Sequence, residues 1–129
     1  LINDAYNASP SSMRASLETT AALYPGRRIA VLGDMLELGA AAEKAHQDVG
    51  RRAAELGFAM VVTYGKQAQW THEAAEAAGC PACYHAASHA DAAAYLRSHL
   101  MDGDTVLFKG SRGMRMEQII AALAGEGAH

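Results

Sequence analysis

The stretch Asn3-Asp4-Ala5-Tyr6-Asn7-Ala8-Ser9-Pro10 sets a carboxylate, a phenol and an amide close together just ahead of a helix start. A carboxylate there accepts from a ribose hydroxyl, and an amide bonds a phosphate or a water. Leu1-Ile2 reads as the end of a buried strand. Ser9 is a good N-cap, and Pro10 suits a first turn whose N–H groups have no intrahelical partner. Asp4, Tyr6 and Asn7 are therefore expected on the loop between a strand's carboxyl end and a helix N-terminus. Open α/β sheets bind ligands there, with free N–H groups and a positive dipole end facing the site. Short polar side chains also satisfy their own loop backbone, which gives Asp4 and Asn7 a second, purely local reading.

Two further loops carry chemistry. Lys109-Gly110-Ser111-Arg112-Gly113 joins two cations, a hydroxyl and two glycines. Arginine grips a carboxylate or phosphate bidentately, and glycine lets backbone N–H groups approach. The plain alternative is a basic surface turn. Gly33-Asp34-Met35-Leu36-Glu37-Leu38-Gly39 holds two carboxylates that can bind an ammonium group or orient a metal-bound water, or simply connect a strand to a helix. In a parallel sheet these three loops share one edge and can converge on one cleft.

Cys80-Pro81-Ala82-Cys83, with His85 and His89, can be written as a zinc site. One CxxC without a second pair is a weak signal, and no thiol is placed at a helix N-terminus. Free reduced thiols are the expectation. His46 and His72 fall on predicted helices as solvated or packed side chains, with His46 near enough to the Gly33 loop to approach the cleft. Trp70, Tyr6 and Tyr64 can stack on a purine or pack in the core. No Gly-x-x-x-x-Gly-Lys-[Ser/Thr] loop occurs and no GxGxxG follows a strand, so a nucleotide site here is at most half of one.

The elements that must position these loops alternate between apolar β-rich runs and alanine-rich amphipathic runs, the pattern of βαβ units. Strands are expected near Ile2, over 28–34, 58–64 and 82–85, and over 105–109. Helices are expected over 10–23, 41–56, 67–78, 88–101 and 116–123, with a loose tail over 125–129. The predicted fold is α/β: one domain over 1–129, a Rossmann-like, doubly wound, mostly parallel sheet of about five or six strands with helices on both faces. Its 129 residues are half apolar, enough for a core, and its net charge of -3 gives no electrostatic case for nucleic acid or an anionic membrane. No apolar run approaches the roughly 18 residues of a membrane span. The chain opens on Leu1 inside a strand, as a piece of a longer protein would.

Four motifs in order then point one way. They are Asp4-x-Tyr6-Asn7-Ala8-x-Pro10, Val31-Leu32-Gly33-Asp34-Met35-Leu36-Glu37-Leu38-Gly39, His46-x-x-Val49-Gly50, and Lys109-Gly110-Ser111-Arg112 with Met116-Glu117. Together they resemble the C-terminal domain of the Mur ligases. Asn3, Ala5 and Ser9 depart from the family's usual Asp, Ser and Asn; Ser9 keeps the capping role. The resemblance implies a three-domain cytoplasmic bacterial enzyme whose N-terminal and central domains are absent from this sequence. It implies ATP and magnesium, the latter bound mainly by the central domain. It further implies an acyl phosphate on UDP-MurNAc-tripeptide that is attacked by the amine of D-Ala-D-Ala. By the same resemblance, Asp4 contacts the ATP ribose and Asn7 the phosphate side, with Tyr6 beside them. Lys109, Ser111 and Arg112 are candidates for the dipeptide carboxylate or the developing oxyanion, on chemical grounds. The competing expectations are a self-standing small-molecule or anion-binding module of flavodoxin-like shape, and an interaction domain with no ligand.

Overall fold

The computed structural model describes residues 1–4 and 8–127. Five strands, β1 (Ile2–Asp4), β2 (Arg28–Gly33), β3 (Met60–Tyr64), β4 (Ala82–Ala86) and β5 (Thr105–Lys109), form one sheet in the order β1-β5-β2-β3-β4. Every pairing is parallel. Five helices alternate with them: α1 (Pro10–Leu23), α2 (Ala42–Glu55), α3 (Ala68–Ala77), α4 (His89–His99) and α5 (Glu117–Gly127).

Side chains of β2 and β5 are buried on both faces, which is why these strands read as unbroken apolar runs. Ala30, Leu32, Val61 and Leu107 meet Met13 and Leu17 of α1, Ala45, Val49 and Ala53 of α2, and Ala75 of α3. On the other face Ile29, Val31, Met60, Val62, Val106 and Phe108 meet Ala92, Ala93 and Leu96 of α4 and Ile119 of α5. The alternation along each strand thus sorts the helices, α1–α3 on one face and α4–α5 on the other.

Local sequence sets the helix ends. At α1, Ser9 Oγ accepts from the Ser12 N–H at 3.2 Å, and Ser12 Oγ accepts from the Ser9 N–H at 2.8 Å. That is a reciprocal capping box built from two serines. At α4, Ser88 Oγ accepts from the Asp91 N–H at 2.9 Å, while the Asp91 carboxylate reaches back to the Ala87 N–H at 2.8 Å and takes the Tyr84 hydroxyl at 2.7 Å. Two details differ from the sequence expectation. Helical spacing from Met13, Leu17 and Ala21 would put Tyr24 on the inner face of α1, but Tyr24 is exposed, because α1 ends one residue before it. Helix α5 runs on to Gly127 instead of stopping near Leu123, Ala121, Ala122 and Ala124 being strong helix formers.

Candidate functional site

Register places the three loops on one edge. Asp4 stands opposite Lys109, Lys109 opposite Leu32, and Gly33 opposite Tyr64. The chain leaves β1 and β2 toward the α1–α3 face and leaves β5 toward the α4–α5 face. Neighbouring strands whose next helices lie on opposite faces open a crevice outside their carboxyl ends, the usual ligand position in such sheets. The end of β5 is therefore flanked by the ends of β1 and β2. The Asp4 side chain, Tyr6 and Asn7 fall outside the described residues.

The loops after β2 and β5 are tied together through Ser111. The Ser111 N–H donates to the Asp34 carbonyl at 2.9 Å, and the Leu36 N–H donates to Ser111 Oγ at 2.8 Å. Gly110 permits this approach, since a Cβ there would lie 3.1 Å from Gly33 Cα and 3.0 Å from Met116 Cγ. Asp34 Oδ1 accepts from the Ala68 N–H at 2.7 Å. It thereby caps α3, whose own preceding residue Gln67 offers no side-chain cap. His46 is wholly buried and holds the same loop from beneath. Its Nε2 accepts from the Met35 N–H at 2.9 Å, and its Nδ1 faces the Ala42 carbonyl at 2.7 Å. A backbone N–H only donates and a carbonyl only accepts, so the proton sits on Nδ1.

These contacts divide the candidates. Asp34 is buried and committed to Ala68, whereas Glu37 stands exposed at the loop tip with φ at 65°. Of the basic loop, Lys109 is 2% exposed, Ser111 is half-buried, and Arg112 is exposed. Ser111 Oγ accepts from Leu36 and keeps its own proton to donate. Arg112 is thus the exposed cation of the loop and Lys109 its buried one. Among the described residues no three His, Cys, Asp or Glu side chains are grouped to hold a metal. No described helix is long and apolar enough to cross a membrane.

The other candidates read from the sequence make contacts away from the Lys109 loop. Cys80 and Cys83 are free thiols, and burial, reinforced by Cys80, pushes the Cys83 thiol up to about 12. The Tyr64 ring lies 4.5 Å from that of His89, and Trp70 lies 6.0 Å from His46. His85 Nδ1 and Thr63 Oγ1 are 2.7 Å apart, and burial, with His72 nearby, holds the His85 pKa below its ordinary value.

The sheet, with helices on both faces and a crevice beside β5, defines a Rossmann-like α/β domain, and sequence comparison says which. The profile of the family described as Mur ligase, glutamate ligase domain matches residues 1–112, so the chain belongs to the Mur ligase family. Within it, the chain is similar to the UDP-N-acetylmuramoyl-tripeptide–D-alanyl-D-alanine ligase of Bacillus subtilis, 38% identical over 125 residues that cover 95% of this chain and 27% of the relative. The Escherichia coli enzyme of the same name is 37% identical over 132 residues, covering 98% of this chain and 27% of that one. The chain thus spans about a quarter of the length of these relatives. Among solved structures, the MurF ligase from Thermotoga maritima in complex with ADP is similar with a TM-score of 0.81 at 29% identity, over 95% of this chain and 27% of that chain. MurF from Acinetobacter baumannii gives 0.81 at 33% identity over the same shares.

Proposed function

We propose that residues 1–129 form one domain, the closing domain of a three-domain cytoplasmic ligase that adds D-Ala-D-Ala to UDP-MurNAc-tripeptide in peptidoglycan precursor synthesis. The observation that carries this reading is that the carboxyl ends of β1, β5 and β2, at Asp4, Lys109 and Gly33, stand side by side on one sheet edge. Likeness along nearly the whole chain to ligases of that name supports it and disfavours a self-standing anion-binding module. ATP, held with magnesium mainly by the central domain, supplies the phosphoryl group that activates the tripeptide carboxylate. This chain adds an edge to that site. Asp4, Tyr6 and Asn7 bind the ribose and phosphate side of the nucleotide. The Lys109–Arg112 loop receives the dipeptide: Arg112 grips its carboxylate, the Ser111 hydroxyl donates a second bond, and buried Lys109 keeps the local potential positive toward the carboxylate and the developing oxyanion.

Kinetics of the full-length enzyme separate the two halves. Asp4→Ala and Asn7→Ala raise the KM for ATP, each lost contact being worth about 1–3 kcal/mol if charge-assisted. Arg112→Lys raises the KM for D-Ala-D-Ala instead, because an ammonium cannot copy the planar fork. Unchanged ATP kinetics in the first pair, or equal kinetics for both substrates in the third variant, contradict the assignment.

A further inference from the structure

We infer that His46, which touches no ligand, is a positioning residue for the dipeptide half of the site, an inference that rests on the function proposed above. Three consecutive residues carry the argument. The Asp34 carbonyl accepts from the Ser111 N–H, the Met35 N–H donates to His46 Nε2, and the Leu36 N–H donates to Ser111 Oγ. The segment 34–36 is thus clamped between His46 on one side and Ser111 on the other. Removing either clamp lets the segment move, and the Ser111–Arg112 backbone moves with it.

His46 is itself fixed in three ways. Its Nδ1–H donates to the Ala42 carbonyl at 2.7 Å, and its carbonyl accepts from Thr71 Oγ1 at 3.0 Å. Its ring has no solvent exposure. Helix α3, which Thr71 belongs to, is capped by Asp34 of the same segment. The circuit β2 loop, α2, α3 and back to the β2 loop closes through three bonds, each between a side chain and a backbone group. A buried N–H left without its acceptor is costly, so Met35 does not stay in place once Nε2 is gone. A histidine is suited to this position because one rigid ring spans two backbone groups, accepting at one end and donating at the other.

The test uses the full-length enzyme. His46→Asn keeps an amide near the Nδ1 position and removes the acceptor for Met35; His46→Gln places an amide oxygen near Nε2. We expect His46→Asn to raise the KM for D-Ala-D-Ala about tenfold, as loss of positioning typically does, with the KM for ATP changed less than about twofold. Amide hydrogen exchange at Met35 and Leu36 speeds up in the same variant. His46→Gln recovers most of both effects. The double variant with Ser111→Ala is no worse than the poorer single one, because both act through residues 34–36. A lowered melting temperature with equal loss for both substrates, or no rescue by glutamine, overturns the inference and leaves His46 as ordinary packing. Arg112→Ala measured alongside tells the two readings apart. If it leaves the dipeptide KM unchanged, the site assignment falls and the inference with it. If it raises that KM while His46→Asn does not, only the positioning role falls.

Discussion

Gly50→Ala should destabilise the domain although it replaces a poor helix former with the best one. Gly50 lies on α2 where that helix crosses α3, and a Cβ built on it would lie 2.2 Å from the Thr71 carbonyl oxygen, with Thr71 C and Ala75 N at 3.1 Å. All three obstacles are backbone, so no side chain can swing aside. Relief requires the helices to part by more than about 1 Å, since ordinary contacts begin near 3.4 Å. Overpacking of this kind costs about 1–3 kcal/mol. Parting the helices also breaks the bond from Thr71 Oγ1 to the His46 carbonyl, worth about 1 kcal/mol. Against this, alanine gains about 1 kcal/mol in helix propensity. The net is a loss of about 1–3 kcal/mol, or a fall in Tm of roughly 3–15 °C for a chain of this size. Thermal unfolding followed by circular dichroism measures it. A Tm that is unchanged or raised would falsify the close crossing, for then propensity alone is acting.

Further outcomes follow from the same geometry. Because burial lowers the His85 pKa in the folded state, the unfolded chain binds that proton more tightly and acid favours unfolding. Stability from this source is complete above the unfolded value of about 6.5 and declines as pH falls below it; His85→Asn should flatten urea midpoints between about pH 5 and 7, and an unchanged slope refutes the assignment. With its thiol pushed up to about 12, Cys83 should resist iodoacetamide at pH 8 in the folded protein and react freely in urea, as read by mass spectrometry. Equal rates in both states count against its burial. The isolated chain 1–129, given ATP, magnesium, D-Ala-D-Ala and UDP-MurNAc-tripeptide, should release no phosphate above an Asp4→Ala, Lys109→Ala control, for phosphoryl transfer needs a phosphate cradle that this chain lacks.

Strands β2 and β5 were legible because burial on both faces leaves only apolar residues to choose from, and Ser9-Pro10 announced α1 because capping is local chemistry. The shared edge of the three loops followed from parallel topology alone. Strand order was not legible: no short-range signal says that β5 enters between β1 and β2. Nor was the work of His46. Its nearest clue is a spacing of 11 residues from Met35, and contacts across a loop leave no periodic trace. Ser111 was legible as a site residue but not as a fastener, since a hydroxyl suits a ligand and a neighbouring N–H equally well. Asp34 likewise reads as a free carboxylate until the fold brings the start of α3 beneath it.

The strand order also has a consequence in time. β1 pairs only with β5, and β5 begins at Thr105, so the first strand of the domain has no partner until the last has been made. At about 5–20 residues per second on a ribosome, that interval is on the order of 5–20 s. Until it ends, one edge of β2 stands open and the Asp4 loop has nothing to hold it beside the basic loop. Strand β1, translated before the other four, is the last to find its partner. A nascent chain stopped before residue 105 carries four strands' worth of sequence and no crevice.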